Sequence, residues 1–338
     1  MCPGDPGSHA VDRRALVLAL LLVPGGASAQ EPTNRDQSGY TELNEEGYPL
    51  KESLEIVRAE DSGLKDDELV LGVEIGDEAR AYPVNLMWKP GNEVLNDAIG
   101  GNAIAATWCP IAHSPVVYDR RLGDREVDLG AVGLERGVFI LYDRETGSWW
   151  NQIAGRAVRG PLEGRTLRRL PSTLTTWGRW RSLHPRTTAY TDPDLPGRRR
   201  FTEESFARIT LAGDGPVVNE DLVVAVEGKE GARAWVLRRL ALERVANDVV
   251  GARPVVVFLG EDAVTARVLD RSVGGRTLTF RAEGERLRDV ETGTLWDPMT
   301  GQALEGPLEG QALAPVSFTQ ALWYAWRSQR PDTTLGGE

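Results

Sequence analysis

The chain has 338 residues, with 39 Lys and Arg against 50 Asp and Glu, a formal net charge of −11, and only 2 cysteines and 3 histidines. The acidic balance argues against a nucleic-acid partner, because phosphate binding wants a basic face. So few cysteines exclude a disulfide-stapled scaffold, and a chain of this length can stabilise itself by apolar burial.

Residues 1–29 read as a signal peptide. Arg13 and Arg14 supply the positive start, residues 15–23 (ALVLALLLV) the apolar run, and Ala27-Ser28-Ala29 the small-residue cleavage site. The run is too short to span a bilayer as a mature helix, and no other stretch approaches the roughly 18 apolar residues a span needs. The expected address is therefore export, periplasmic or extracellular, with no integral membrane anchor after cleavage. Cleavage after Ala29 also removes Cys2 and His9, which leaves Cys109, His113 and His184.

Residues 30–65 form a polar arm. Copy one of an internal repeat then runs over 66–190, a polar linker rich in Pro, Gly and Arg over 191–218, and copy two over 219–335. VLNDAIGGNAIAATWCPIAHSPVVYDRR, around Asn96, aligns without a gap to VANDVVGARPVVVFLGEDAVTARVLDRS, around Asn247. ETGSWWNQIAGRAVRGPLEGRTL from Glu145 aligns to ETGTLWDPMTGQALEGPLEGQAL from Glu291, and the register continues from Trp180 to Trp326.

In each copy the first two apolar runs, split by Gly/Glu punctuation, predict a β-hairpin. Val/Ile/Ala-rich runs at 103–108, 116–119, 255–259 and 264–269 predict further strands, and FILYD at 139–143 another. Helices are predicted over 175–183 and 319–328, each stopped by a proline, Pro185 or Pro331. Trp177, Trp180 and Leu183 recur as one buried stripe. The expected fold is α+β, mostly β: two tandem copies of one small β-rich domain, each ending in a short helix and paired about a pseudo-twofold axis.

Asn96-Asp97 and Asn247-Asp248 stand in both copies and read as turns. Asp119-Arg120 and Asp270-Arg271 read as strand-end ion pairs, and most of the tryptophans as core. What differs between the copies points to the site. Gly260 stands where Cys109 does, Val264 where His113 does, and Arg330 where His184 does.

Cys109 ends a buried-strand pattern and enters a proline turn that could bring its sulfur and the His113 imidazole to one point. A thiolate beside an imidazole gains nucleophilicity or metal affinity. His184 is a helix-end cap or, folded back, a third donor. The set suits a soft metal, copper or zinc, or a reactive thiol with Cys109 and His113 as catalytic residues, and Trp88 and Trp108 flank it as pocket walls. The rival reading is a non-enzymatic ligand-binding or scaffold module using the cleft between the copies.

GVEIGDEARAYP, VLNDAIGG, TWCPIAHSPVVYDR, LYDRETGSWWNQIAGRAVRGPLEG and LPSTLTTWGRW, in that order, resemble domain-of-unknown-function family 3179. That resemblance implies an exported bacterial or archaeal protein without an assigned activity. The family's hallmark is Cys-Pro-Leu-Cys. Cys109, Pro110 and Ile111 match it, Ala112 replaces the second cysteine, and His113 stands where Gly or Asn is usual.

Overall fold

The computed structural model describes residues 39–195 and 201–337, so the signal-peptide reading of 1–29 lies outside the described residues. Strand dominates. In the first half, Leu69–Ile75 and Glu78–Pro83 form the predicted hairpin, turning at Gly76 with φ 61°. Thr173–Thr176 adds to one side, and Thr188–Thr191 adds in parallel to the other. Val94–Ile99, Asn102–Cys109 and Ser114–Asp119 form an antiparallel meander that Arg169–Leu170 extends. Leu129–Glu135, Val138–Asp143, Trp149–Asn151 and Arg156–Arg159 form a third sheet.

The second half contains the corresponding sheets. Leu222–Gly228 and Gly231–Val236 pair with Thr319–Leu322 and Thr334–Leu335. Val245–Val250, Arg253–Leu259 and Ala266–Asp270 form a meander. Phe280–Glu283, Arg286–Asp289, Leu295–Trp296 and Ala303–Glu305 form the last sheet. The described part of the arm contributes two short strands: Glu42–Leu43 edges the third sheet, and Glu55–Arg58 pairs with Thr188–Thr191.

Aligned polar residues repeat their bonds. The Asn96 side chain holds Leu129 N–H and C=O at 2.9 and 2.8 Å, and Asn247 holds those of Phe280 at 2.8 and 2.7 Å. Asp97 accepts from Arg80 and Tyr82, Asp248 from Arg233 and Trp235. Both pairs lie within strands, not in the turns expected of them: each Asp also accepts the next residue's N–H, but the long-range partners belong to other sheets. Asp119 and Arg120 pair with Arg168 and Asp128, not with each other.

Four helices are present among the described residues, where one per copy was expected. α1 (Trp177–Leu183) and α4 (Trp323–Gln329) close the halves. Thr319–Leu322, expected as the start of α4, is a strand instead, its residues hydrogen-bonded across to Leu222–Gly228. α2 (Glu203–Thr210) lies within 191–218, read from the sequence as a polar linker: Thr202 and Ser205 form a capping box, and Phe206 and Ile209 are buried. α3 (Leu237–Glu243) follows the second-half hairpin, and its buried Arg238 grips Asp221 with two bonds, at 2.6 and 3.0 Å.

The largest apolar cluster draws on both halves, Tyr82, Trp108 and Phe139 with Trp235, Val257 and Trp326. No helix of the described residues is long and apolar enough to cross a membrane.

Candidate functional site

Cys109 ends the Asn102–Cys109 strand, and residues 110–113 turn into Ser114–Asp119 with Cys109 and Ser114 paired across. The buried sulfur accepts the Ala112 N–H at 3.3 Å and lines a hollow of about 110 Å³ with Tyr48, Glu93 and Phe139. Burial pushes the thiol up to about 12, Glu93 adds to that, and the Ala112 and Ile111 N–H groups offset only part of it. Such a thiol is protonated at neutral pH and a poor nucleophile or metal donor.

His113 closes the turn with φ 49°. Gly adopts this left-handed backbone most easily, and Asn and His are the side-chain-bearing residues most often found there. Trp108 and Cys109 are consecutive in a strand and so leave opposite faces. The His113 ring stacks on Trp108 with centroids 6.1 Å apart, and Phe201 and Phe206 approach edge-on at 6.2 and 5.8 Å. The imidazole therefore follows Trp108, away from the sulfur, into an aromatic box that the entry to α2 completes.

Trp108 walls that box rather than the Cys109 hollow. Trp88 is half-buried, with the Lys89 ammonium 5.4 Å above its ring, and does not line the hollow either. Among the described residues, no group of three or more His, Cys, Asp and Glu is placed to hold a metal ion. The expected donor set of Cys109, His113 and His184 is not gathered, because strand alternation separates the first two and His184 packs at another site.

That other site is built from both halves. Gly72 pairs with Thr173 across the first sheet, and a Cβ on Gly72 would stand 2.3 Å from the Trp180 ring. Glycine there lets the indole lie flat on the strand, where Thr187 accepts its N–H at 2.9 Å. His184 caps the C-terminus of α1 and packs its ring 4.1 Å from that of Trp180. Glu74, two residues beyond Gly72 and hence on the same face, lies 3.5 Å from His184 Nδ1.

Arg267 reaches over from the Ala266–Asp270 strand of the second half and donates from Nη1 to Thr173 Oγ1 at 2.8 Å. These residues line a cleft of about 510 Å³, floored further by Met299, Thr300 and Gln302 of the second half. The Arg267 Nε is fully enclosed and has no hydrogen-bond partner. Burial draws the guanidinium below its ordinary value, while Glu74 and Asp297 oppose the shift. The His184 imidazole is likewise lowered by burial, with Glu74 opposing and Arg267 reinforcing. It is neutral at pH 7 and stays a hydrogen-bonding group.

The sequence reading found His184 but missed Arg267, Thr173 and Glu74. The available signal was a charge in an apolar strand: Arg267 aligns with Val116. A slightly larger hollow, about 560 Å³, lies among second-half turn residues including Lys229, Glu230 and Arg253, most of them solvent-exposed, and gathers no enclosed polar group.

A family model described as a protein of unknown function (DUF3179) matches residues 51–333. The chain belongs to the DUF3179 family. No curated protein and no solved structure matches it. The match runs through both halves, so in this DUF3179 protein every cleft residue named above, from Gly72 to Gln302, lies inside the matched region.

Proposed function

We propose that this DUF3179 protein is an exported, internally duplicated, non-enzymatic binding module whose small-molecule ligand sits in the cleft between the two copies. One observation carries the reading: Arg267 of one half and His184 of the other meet at a cleft of about 510 Å³, within the size range of small-molecule sites, and the guanidinium keeps an unpartnered, enclosed N–H there. The repeated bonds of Asn96 and Asn247, and of Asp97 and Asp248, support the duplication. The charged start, apolar run and Ala27-Ser28-Ala29 of residues 1–29 support export. A soft-metal or reactive-thiol centre at Cys109 and His113 has less behind it, since the thiol is held protonated and the imidazole faces the other way.

A fragment screen by NMR tests the binding reading. Saturable shifts of the Trp180 indole and His184 ring signals are expected with a subset of fragments. A screen in which those signals never move, while shifts cluster at Cys109, would overturn it. N-terminal sequencing of protein recovered outside the cytoplasm should begin at Gln30.

A further inference from the structure

The two halves place the same kind of side-chain cluster at aligned positions, and one of them shows what the other is built to hold. In the second half, Glu227 aligns with Glu74, Thr319 with Thr173, and Arg330 with His184. Arg169, from the first half, reaches over and donates to Thr319 Oγ1 at 2.5 Å, as Arg267 does to Thr173. There the correspondence ends. Arg169 also donates to the Ile153 carbonyl and lies 3.4 Å from the Glu227 carboxylate, which Arg330 holds from its other oxygen at 3.0 Å. Here the guanidinium is met by the protein's own carboxylate, a partly exposed side chain set between two cations.

In the first half the carboxylate makes no ion pair with the guanidinium. Glu74 is exposed and meets His184, whose imidazole is neutral at pH 7. Arg267 is left with Thr173 as its side-chain hydrogen-bond partner, although a guanidinium presents five N–H donors in a fork matched to a planar oxyanion. We infer that the cleft recognises a ligand carboxylate, which takes on Arg267 the position that the Glu227 side chain takes on Arg169, with His184 as the second donor. A single guanidinium with Glu74 at the rim suits a monoanion. A phosphate dianion would meet one cation and one like charge.

This inference rests on the cleft being the binding site, and the experiment separates the two claims. The Nε–H signal of Arg267, identified by its loss in Arg267→Lys, is followed in ¹⁵N spectra at fixed ionic strength during titration with benzoate, benzamide and inorganic phosphate. Benzoate is expected to shift the signal saturably, with phosphate and benzamide about tenfold weaker or silent, since a charge-assisted hydrogen bond is worth about 1.5–3 kcal/mol. Arg169→Lys should leave the benzoate titration unchanged, and His184→Phe should weaken it severalfold.

If benzamide or phosphate moves the signal as well as benzoate does, the cleft remains a binding site and the carboxylate inference falls. If none of the three moves Arg267, His184 or Trp180, both claims fall. Through-bond correlation assigns the Arg267 Nε–H signal if Arg267→Lys does not fold, and a melting curve for each variant shows which of them can be compared.

Discussion

The two crevices contain the same parts and use them differently. Around Glu227, itself partly exposed, two arginines, a threonine hydroxyl and a backbone carbonyl join in one network. Around Glu74 the carboxylate faces solvent, the helix-end cation has become a histidine, and the guanidinium keeps an enclosed N–H that nothing in the protein accepts. A satisfied polar network stabilises a fold, whereas an underserved one costs free energy unless something binds it. Under the proposed reading the second-half cluster is structural and the first-half cleft binds the ligand, although single residues in the two are hard to tell apart by type.

The largest expected effect tests how the first crevice is floored. Gly72→Ala puts a methyl 2.3 Å from the Trp180 ring and should cost about 1–3 kcal/mol in urea unfolding, as overpacking does. The aligned residue is Ala225, buried beside Thr319. There Ala225→Gly should cost only about 0.5–1 kcal/mol. Equal losses at the two positions would mean that the two floors are interchangeable.

Next in size is a matched pair of arginine truncations. Arg169→Met leaves the Ile153 carbonyl and half of the Glu227 network without their donor and should destabilise by about 1–3 kcal/mol. Arg267→Met removes a buried cation that makes a single side-chain bond. Its stability should stay within about 1 kcal/mol of wild type, or rise, because replacing an under-compensated buried charge by hydrocarbon is often neutral or better. The same unfolding experiment reads both. A large loss from Arg267→Met with none from Arg169→Met would invert the assignment of roles.

Much of the fold was legible because its strands are Val-, Ile- and Ala-rich runs between Gly-marked turns, and Leu69–Ile75, Val138–Asp143 and Arg253–Leu259 appear where the pattern places them. Short elements set by distant partners were not legible. Thr319–Leu322 carries Thr and Gln and is a strand only because Leu222–Gly228 lies beside it. α2 shows one apolar step, Phe206 to Ile209, after a run rich in Pro and Arg, and its caps mean little without the core beneath. Asn96-Asp97 before a glycine pair has the composition of a turn, yet its side chains serve Leu129, Arg80 and Tyr82.

The site was half legible for a related reason. Comparing the aligned halves for residues lost from the second one finds Cys109, His113 and His184. Comparing them for residues gained finds Arg267, one arginine among many until its aligned partner is seen to be Val116. Composition highlights rare residue types, whereas burial without a partner is a property of three-dimensional packing.

Two pH experiments carry the comparison to smaller effects. The Cys109 thiol, held up to about 12 by burial, keeps its proton in the folded protein while the unfolded thiol ionises near 9. The folded state then binds more protons through that window, so the Cys109 contribution is intact below about pH 9 and is lost as pH rises towards 12. At pH 8 the native thiol should react with a thiol reagent only at the rate of global unfolding, and Cys109→Ala should flatten the alkaline limb of the stability curve. Prompt labelling of native protein would restore the reactive-thiol reading.

His184 gives the opposite limb. Its folded-state value is lowered, chiefly by burial and further by Arg267, with Glu74 opposing. Below the ordinary histidine value of about 6.5 the unfolded chain takes up a proton that the folded protein resists. Stability from this group is therefore complete above about pH 6.5 and falls as pH drops through the window beneath it. The difference in unfolding free energy between wild type and His184→Gln, measured from pH 7.5 down to pH 5 in roughly half-unit steps, should shrink steadily as acid erodes the wild type alone. Benzoate should reduce that erosion, because an anion on Arg267 screens the charge that disfavours the imidazolium and so raises the folded-state value towards the unfolded one. A difference that stays flat with pH, or one that benzoate leaves unchanged, would separate His184 from Arg267 and leave the first crevice without its second donor.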